Sequence, residues 1–284
     1  MVSINYERKC VFFHIPNTAG SYIQKALNSK YNFIGYNYCI RYDTGEYNLK
    51  PNFFSNKTTQ INNSSFLNSN PYSCKTLGIQ KYFSSSSLML KMMKLNEEKW
   101  DNLFKFTFVR NPYERFISGW NYVLHGFKTK KIVNDENLDL EEINKFNDLE
   151  YTITNKDILT PIAYNHIFMT QYEHILDRNN KNNMDFIGKI ENLEKDLEFV
   201  LNKIGITEII HDKDKKVNKT EHKYYKEYYN QTILDFVNDF FDIDFREFGY
   251  TKFNNMDDFL KEKEKDEKEE KDEKEEKDEK ENLA

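Results

Sequence analysis

Apolar residues along this chain fall into two patterns: short unbroken runs of strand-forming residues, and longer stretches with apolar positions three or four apart. The first run, Val11, Phe12, Phe13 and Ile15, stops at Pro16 and gives way to the small, turn-prone residues Asn17, Thr18, Ala19, Gly20 and Ser21. Tyr22, Ile23, Ala26, Leu27 and Tyr31 then make an apolar stripe at helical spacing, so the stretch predicts strand, loop and helix in succession. Phe104, Phe106, Phe108 and Val109 form a second run, ended by Asn111-Pro112, a helix cap followed by a residue suited to the first turn. In the helix that follows, Phe116, Ile117, Trp120, Val123 and Leu124 face inward. A third unit predicts a strand over Phe186–Ile190 and an amphipathic helix through Leu193, Leu197, Val200, Leu201 and Ile204, closed by Gly205.

Between these units the pattern is weaker. Asn32 to Ser73 reads as irregular connection with a short strand or two, Ser84 to Glu98 as a surface helix, and Asp135 to Asp148 as an acidic, helix-compatible surface segment. Thr160-Pro161 precedes a helix through Ile162, Ile167, Phe168 and Tyr172 that carries His166, Gln171 and His174. Two aromatic-rich helices run up to Phe248. Strands alternating with helices predict an α/β fold. Residues 1–258 are expected to form the folded domain, and 259–284 a charged, low-complexity tail, disordered or a single helix, because no apolar residue occurs from Lys261 to Glu281.

Composition narrows the function. The chain has 284 residues, 15% of them aromatic, enough for a sizeable core. No apolar run approaches the roughly 20 residues of a membrane helix, and Arg8 and Lys9 precede too short an apolar run for a signal peptide. The expectation is a protein with no membrane span, cytoplasmic by default. The formal charge is −6, but residues 261–281 hold eight Lys against thirteen Asp and Glu, so the body is nearly neutral. A neutral body argues against nucleic acid as a partner, and any anion site must be local. Cys10, Cys39 and Cys74 fit no zinc spacing and read as reduced structural thiols, although Cys39 and Cys74 could pair in an oxidising compartment. No cluster suggests a metal.

Two stretches carry candidate chemistry. Small residues at the start of a helix leave backbone N–H groups uncovered, and the helix dipole favours an anion there. The 17–22 loop is therefore a phosphate cradle candidate, although it lacks the Walker Lys of ordinary P-loop enzymes. Arg110 sits at a strand's C-terminal end, where open α/β sheets bind ligands, and Ser118 lies about two turns into the next helix. A guanidinium and a hydroxyl so placed suit a phosphate.

H-I-P-N-T-A-G-S (residues 14–21) resembles the 5'-phosphosulfate loop of the Golgi-type carbohydrate sulfotransferases, the chondroitin, dermatan and heparan 2-O enzymes and their bacterial relatives. F-V-R-N-P-Y-E-R-F-I-S (108–118) is similar to their 3'-phosphate signature, and D-F-I-G-K-I-E-N-L-E-K-D and N-K-T-x-x-x-x-Y up to F-G-Y agree with two further blocks. The resemblance implies a P-loop-like three-layer fold with a central, mostly parallel sheet flanked by helices. It also implies 3'-phosphoadenosine 5'-phosphosulfate (PAPS) as donor, no metal, and a glycan or other hydroxyl acceptor. Its donor site would comprise Asn17, Thr18, Ala19, Gly20, Ser21, Tyr22, Arg110, Ser118, Lys219 and Thr220.

The chain departs from that pattern twice. Asn17 stands where the family loop has Lys, and Lys81-Tyr82 where many relatives carry Lys-His. Lys75 or Lys81 could restore the missing charge. His166 is the first candidate for the base and His125 the second, while His14 resembles a family position and equally suits a buried, hydrogen-bonded histidine. A binding protein that keeps the fold but lost turnover with Asn17 is the alternative. A small-molecule kinase is disfavoured by the missing Walker Lys.

Overall fold

A computed structural model describes residues 2–40, 47–51, 101–128, 140–159, 161–176, 181–207 and 223–261. The helix expected over Ser84–Glu98, Cys74, Lys75, Lys81-Tyr82, Lys219, Thr220 and the charged stretch from 262 onward lie outside these residues. Two compact units divide the chain, Met1–Arg110 with Thr160–Thr220 and Asn111–Leu159 with Glu221–Ala284.

Among the described residues the first unit is built on six strands, β1 (Val2–Asn5), β2 (Cys10–Phe13), β3 (Ile34–Ile40), β4 (Tyr47–Pro51), β5 (Phe104–Val109) and β6 (Phe186–Lys189), in the order β4-β3-β1-β2-β5-β6. β5 pairs in parallel with β2 and with β6, with Phe12 opposite Phe106 and Phe108 opposite Gly188. β1 is antiparallel to both β2 and β3, and β3 to β4, so β2, β3, β5 and β6 all run one way. The sheet is mixed, with β2, β5 and β6 as its parallel part. This is the α/β architecture that the alternation of runs predicts, with the parallel pairing that the resemblance implies confined to those three strands.

Side chains alternate across this sheet as a period of two requires. Cys10, Phe12, Phe106 and Phe108 enter one core with Ile23 and Leu27 of α1 (Gly20–Lys30) and Val200 and Leu201 of α7 (Leu193–Lys203). Val11 and Phe13 enter another with Val2, Ile4 and Leu103. Each large side chain so buried stabilises the fold by about 1.5–3 kcal/mol. Gly205, at φ 75, ends α7 as expected, and Arg8 Nη1 donates to the carbonyls of Ile204 and Gly205 at 2.7 and 2.8 Å. Burial pushes the Cys10 thiol up to about 12, so it stays protonated and serves only as packing.

Two details differ from the pattern. β1 is not foreseen, because Ser3 and Asn5 interrupt its apolar positions; both are buried, and Asn5 Nδ2 donates to the Tyr31 carbonyl at 3.0 Å. The single helix expected after Pro161 is instead two, α5 (Pro161–Ile167) and α6 (Gln171–Ile175). Thr170 and Glu173 form a capping box that starts the second one, with the Thr170 hydroxyl accepting from the Glu173 N–H at 3.1 Å.

The second unit is helical: α2 (Pro112–Lys128), α3 (Leu140–Lys145), α4 (Leu149–Thr154), α8 (Gln231–Phe240) and α9 (Asp242–Phe248). Asn111 Oδ1 accepts from the Tyr113 N–H at 3.0 Å, capping α2 as the Asn-Pro pair predicts. Tyr113 is surrounded by Phe245, Phe259 and Tyr229 at ring-centroid distances of 4.8, 5.0 and 5.7 Å. Phe259, left to the tail by composition, is fully buried in this cluster, so the fold reaches at least that residue. The segment around residue 146 is likewise more than an acidic surface: Phe146 is buried, and its carbonyl accepts from Trp120 Nε1 at 2.9 Å.

Candidate active site

Between β2 and α1 the chain turns through residues 14–19. Asn17 and Ala19 take left-handed backbone angles, φ 66 and 53, on either side of Thr18, which does not. That alternation turns successive N–H groups toward one side, the geometry of an anion-binding nest. Asn tolerates the left-handed region, whereas at Ala19 it costs roughly 1–2 kcal/mol. Thr18 Oγ1 donates to the Ile15 carbonyl at 3.0 Å and fixes the turn from within. Among the described residues the backbone N–H groups of Thr18, Ala19, Gly20 and Ser21 have no hydrogen-bond acceptor. No acidic residue occupies the first turn of α1 to repel an anion.

His14 holds this turn from below. A Cβ at Gly20 would lie 2.0 Å from His14 Cδ2, so only glycine lets α1 begin this close to the imidazole. The ring is 8% exposed and stacks on Phe12 at a centroid distance of 6.4 Å. Burial, with a contribution from charge on His166, holds the imidazole well below its ordinary value of 6.5, and a hydrogen bond with Gln24 acts the other way. His14 is therefore neutral at pH 7.

The stability consequence has a definite sign. As pH falls through 6.5 the unfolded chain takes up a proton at residue 14 that the folded chain refuses, at a cost of up to about 1.4 kcal/mol per pH unit. The urea midpoint should fall between about pH 7 and pH 5, and less steeply in His14→Gln. Equal slopes in the two proteins would contradict the burial argument.

The other site residues of the first unit converge on the same turn. Asn17 Nδ2 donates to the main-chain carbonyl of His166 at 2.8 Å, near the C-terminal end of α5 where carbonyls lack intrahelical partners. Arg110 Nη1 makes a long contact, 3.5 Å, with the Asn17 carbonyl. The main chain of Arg110 is gripped by Gln171, whose Oε1 accepts from the Arg110 N–H and whose Nε2 donates to the Arg110 carbonyl, each at 2.8 Å.

The structure thus brings Asn17, Thr18, Ala19, Gly20, Arg110 and His166 together, and adds His14. Ser21 is exposed on the first turn of α1. The ring of Tyr22 packs against the sheet core, and its N–H is already bonded to the Ala19 carbonyl at 3.0 Å. Ser118, half-buried, and His125, exposed, both stand on α2 in the second unit. A cavity of about 330 Å³, bordered by Asn5, Arg8, Lys30 and Gly205, lies at the other end of the strands and contains none of these residues.

The sequence model of the sulfotransferase family matches residues 2–251, a span that holds the turn, Arg110, Ser118, His125 and His166. The chain belongs to the sulfotransferase family. Sulfonate transfer to an acceptor hydroxyl is the chemistry of this family. Over 115 residues this sulfotransferase is 30% identical to an uncharacterized protein of Archaeoglobus fulgidus, a match covering 40% of the chain and 78% of that relative. No solved structure matches it. Among the described residues no helix is long and apolar enough to cross a membrane.

Gln171 is the site residue that sequence reasoning misses. It appears in the sequence only as one polar residue of a helix, and its role depends on a contact with a residue 61 positions away.

Proposed function

We propose that this sulfotransferase uses PAPS as donor and a carbohydrate hydroxyl as acceptor. The observation that carries the reading is the row of open backbone donors from Thr18 to Ser21, which starts between the left-handed residues Asn17 and Ala19 and runs into the first turn of α1. That row, together with the dipole of α1, suits a 5'-phosphate. Arg110, whose main chain is fixed at the end of β5, suits a second phosphate, and a nucleotide phosphorylated at both its 3' and 5' ends needs two such places. By resemblance Ser118, eight residues further along the chain, joins Arg110 at the 3'-phosphate, and Tyr22, Lys219 and Thr220 belong to the donor site.

When bound, PAPS supplies a sulfonate group that passes to the acceptor oxygen and leaves adenosine 3',5'-bisphosphate (PAP). His166 is the base that takes the proton of the acceptor hydroxyl; His125 is the other candidate. Asn17 brings the loop to α5 through the His166 carbonyl and carries no charge of its own. Arg110 is the cation beside that loop.

A second reading, a nucleotide- or glycan-binding protein with weakened turnover, is favoured by the same residue: the amide of Asn17 is an uncharged donor and is already bonded. Incubation with ³⁵S-labelled PAPS and a panel of desulfated glycosaminoglycan chains separates the two. Label should appear on a chain. Tight PAP binding without transfer to any acceptor would favour the second reading.

A further inference from the structure

The geometry points to Gln171 as a positioning residue for Arg110, and through it as the residue that sets how strongly the site prefers a nucleotide bearing a 3'-phosphate. This rests on the proposed reading of Arg110 as a 3'-phosphate ligand. Gln171 opens α6 and is 0% exposed, an unusual place for a glutamine unless its amide is fully employed.

Its employment is specific. Oε1 accepts from the Arg110 N–H and Nε2 donates to the Arg110 carbonyl, both at 2.8 Å. A neighbouring strand would offer the same two bonds. β5 pairs with β2 as far as Thr107 and with β6 as far as Val109, so Arg110 is the first residue beyond both ladders. The amide of Gln171 takes the place of the missing strand for one residue. It thereby fixes the backbone from which the guanidinium projects, and that guanidinium reaches the carbonyl of Asn17 at 3.5 Å.

The same short helical pair serves the loop as well. His166, on α5, accepts from the Asn17 side chain, while Gln171, on α6, holds Arg110. An apolar side chain at 171 would leave the N–H and C=O of Arg110 without these partners, and the main chain would move to recover them. The loop donors from Thr18 to Ser21 would be left where they are.

Calorimetric titration with PAP and with ADP, which lacks the 3'-phosphate, tests this in the full chain. In Gln171→Leu the affinity for PAP should fall roughly tenfold, while the affinity for ADP stays within about twofold, because Arg110 has no 3'-phosphate to meet in ADP. In an Arg110→Ala background the same change should cost nothing further for PAP. Equal losses for both nucleotides, an unchanged PAP affinity, or a full additional loss in the Arg110→Ala background would overturn the assignment. An unmodified chain that binds PAP no more tightly than ADP would overturn the donor-site reading first, and is recognised without any variant. Should Gln171→Leu fail to fold, Gln171→Glu keeps an acceptor for the Arg110 N–H but gives up the donor to its carbonyl. It should show the same selective loss for PAP, and a loss shared equally by ADP would again overturn the assignment.

Discussion

Arg110→Ala is expected to weaken PAP binding by roughly 100-fold. Hydrogen bonds to charged groups contribute about 1.5–3 kcal/mol each, and a guanidinium offers a phosphate two of them in parallel. Part of that returns as water solvates the freed phosphate, leaving about 3 kcal/mol, which is the stated factor. The fold should tolerate the change. Both bonds from Gln171 go to the main chain of residue 110 and survive in alanine, and the side chain is half-buried at the end of its strand rather than in the core. Arg110→Lys should recover only part of the loss, since an ammonium is a point charge without the planar fork. Unchanged PAP affinity in Arg110→Ala would remove Arg110 from the donor site.

His166→Ala should lower kcat by about 10²–10⁴, the usual range for loss of a general base, with PAP affinity preserved. The contact between the loop and α5 is made by the main-chain carbonyl of His166, so the alanine variant keeps the Asn17 bond and loses only the imidazole. A fall in kcat can then be assigned to proton transfer rather than to a displaced loop. Steady-state kinetics of sulfonate transfer for His166→Ala and His125→Ala, side by side, decide between the two candidates. If His125→Ala shows the large loss and His166→Ala does not, the base stands on α2 and the assignment to His166 fails.

The parts of this protein that were legible in its sequence are those governed by neighbours along the chain. The runs Val11–Phe13 and Phe104–Val109 are strands, the small residues after Pro16 make the turn and the start of α1, and Asn111-Pro112 starts a helix, because each depends on local turn and capping chemistry. β1 escaped because its polar residues, Ser3 and Asn5, are buried, and Asn5 bonds the carbonyl of distant Tyr31. The break between α5 and α6 was visible as Thr170-Gln-Tyr-Glu173, a capping box, but the apolar stripe running through it pointed to one continuous helix.

The site divides in the same way. The loop and Arg110 follow from motif and strand position. Two other features are contacts between segments far apart in sequence, the engagement of Asn17 with His166 and the grip of Gln171 on Arg110. A third, the approach of the His14 ring to Gly20, is local but depends on the path of the turn in space rather than on residue spacing. Asn17 shows the difference most clearly. As a letter it is a lost lysine, whereas in the structure it is a left-handed residue whose amide ties the loop to α5.

We propose that the turn and Arg110 together form a site for a nucleotide phosphorylated at both ends. Calorimetric titration of the purified chain with PAP and with ADP tests it directly. PAP should bind clearly and ADP at least roughly tenfold more weakly, the deficit of the missing 3'-phosphate contacts. Equal affinity for the two nucleotides, or no binding of PAP, would contradict it.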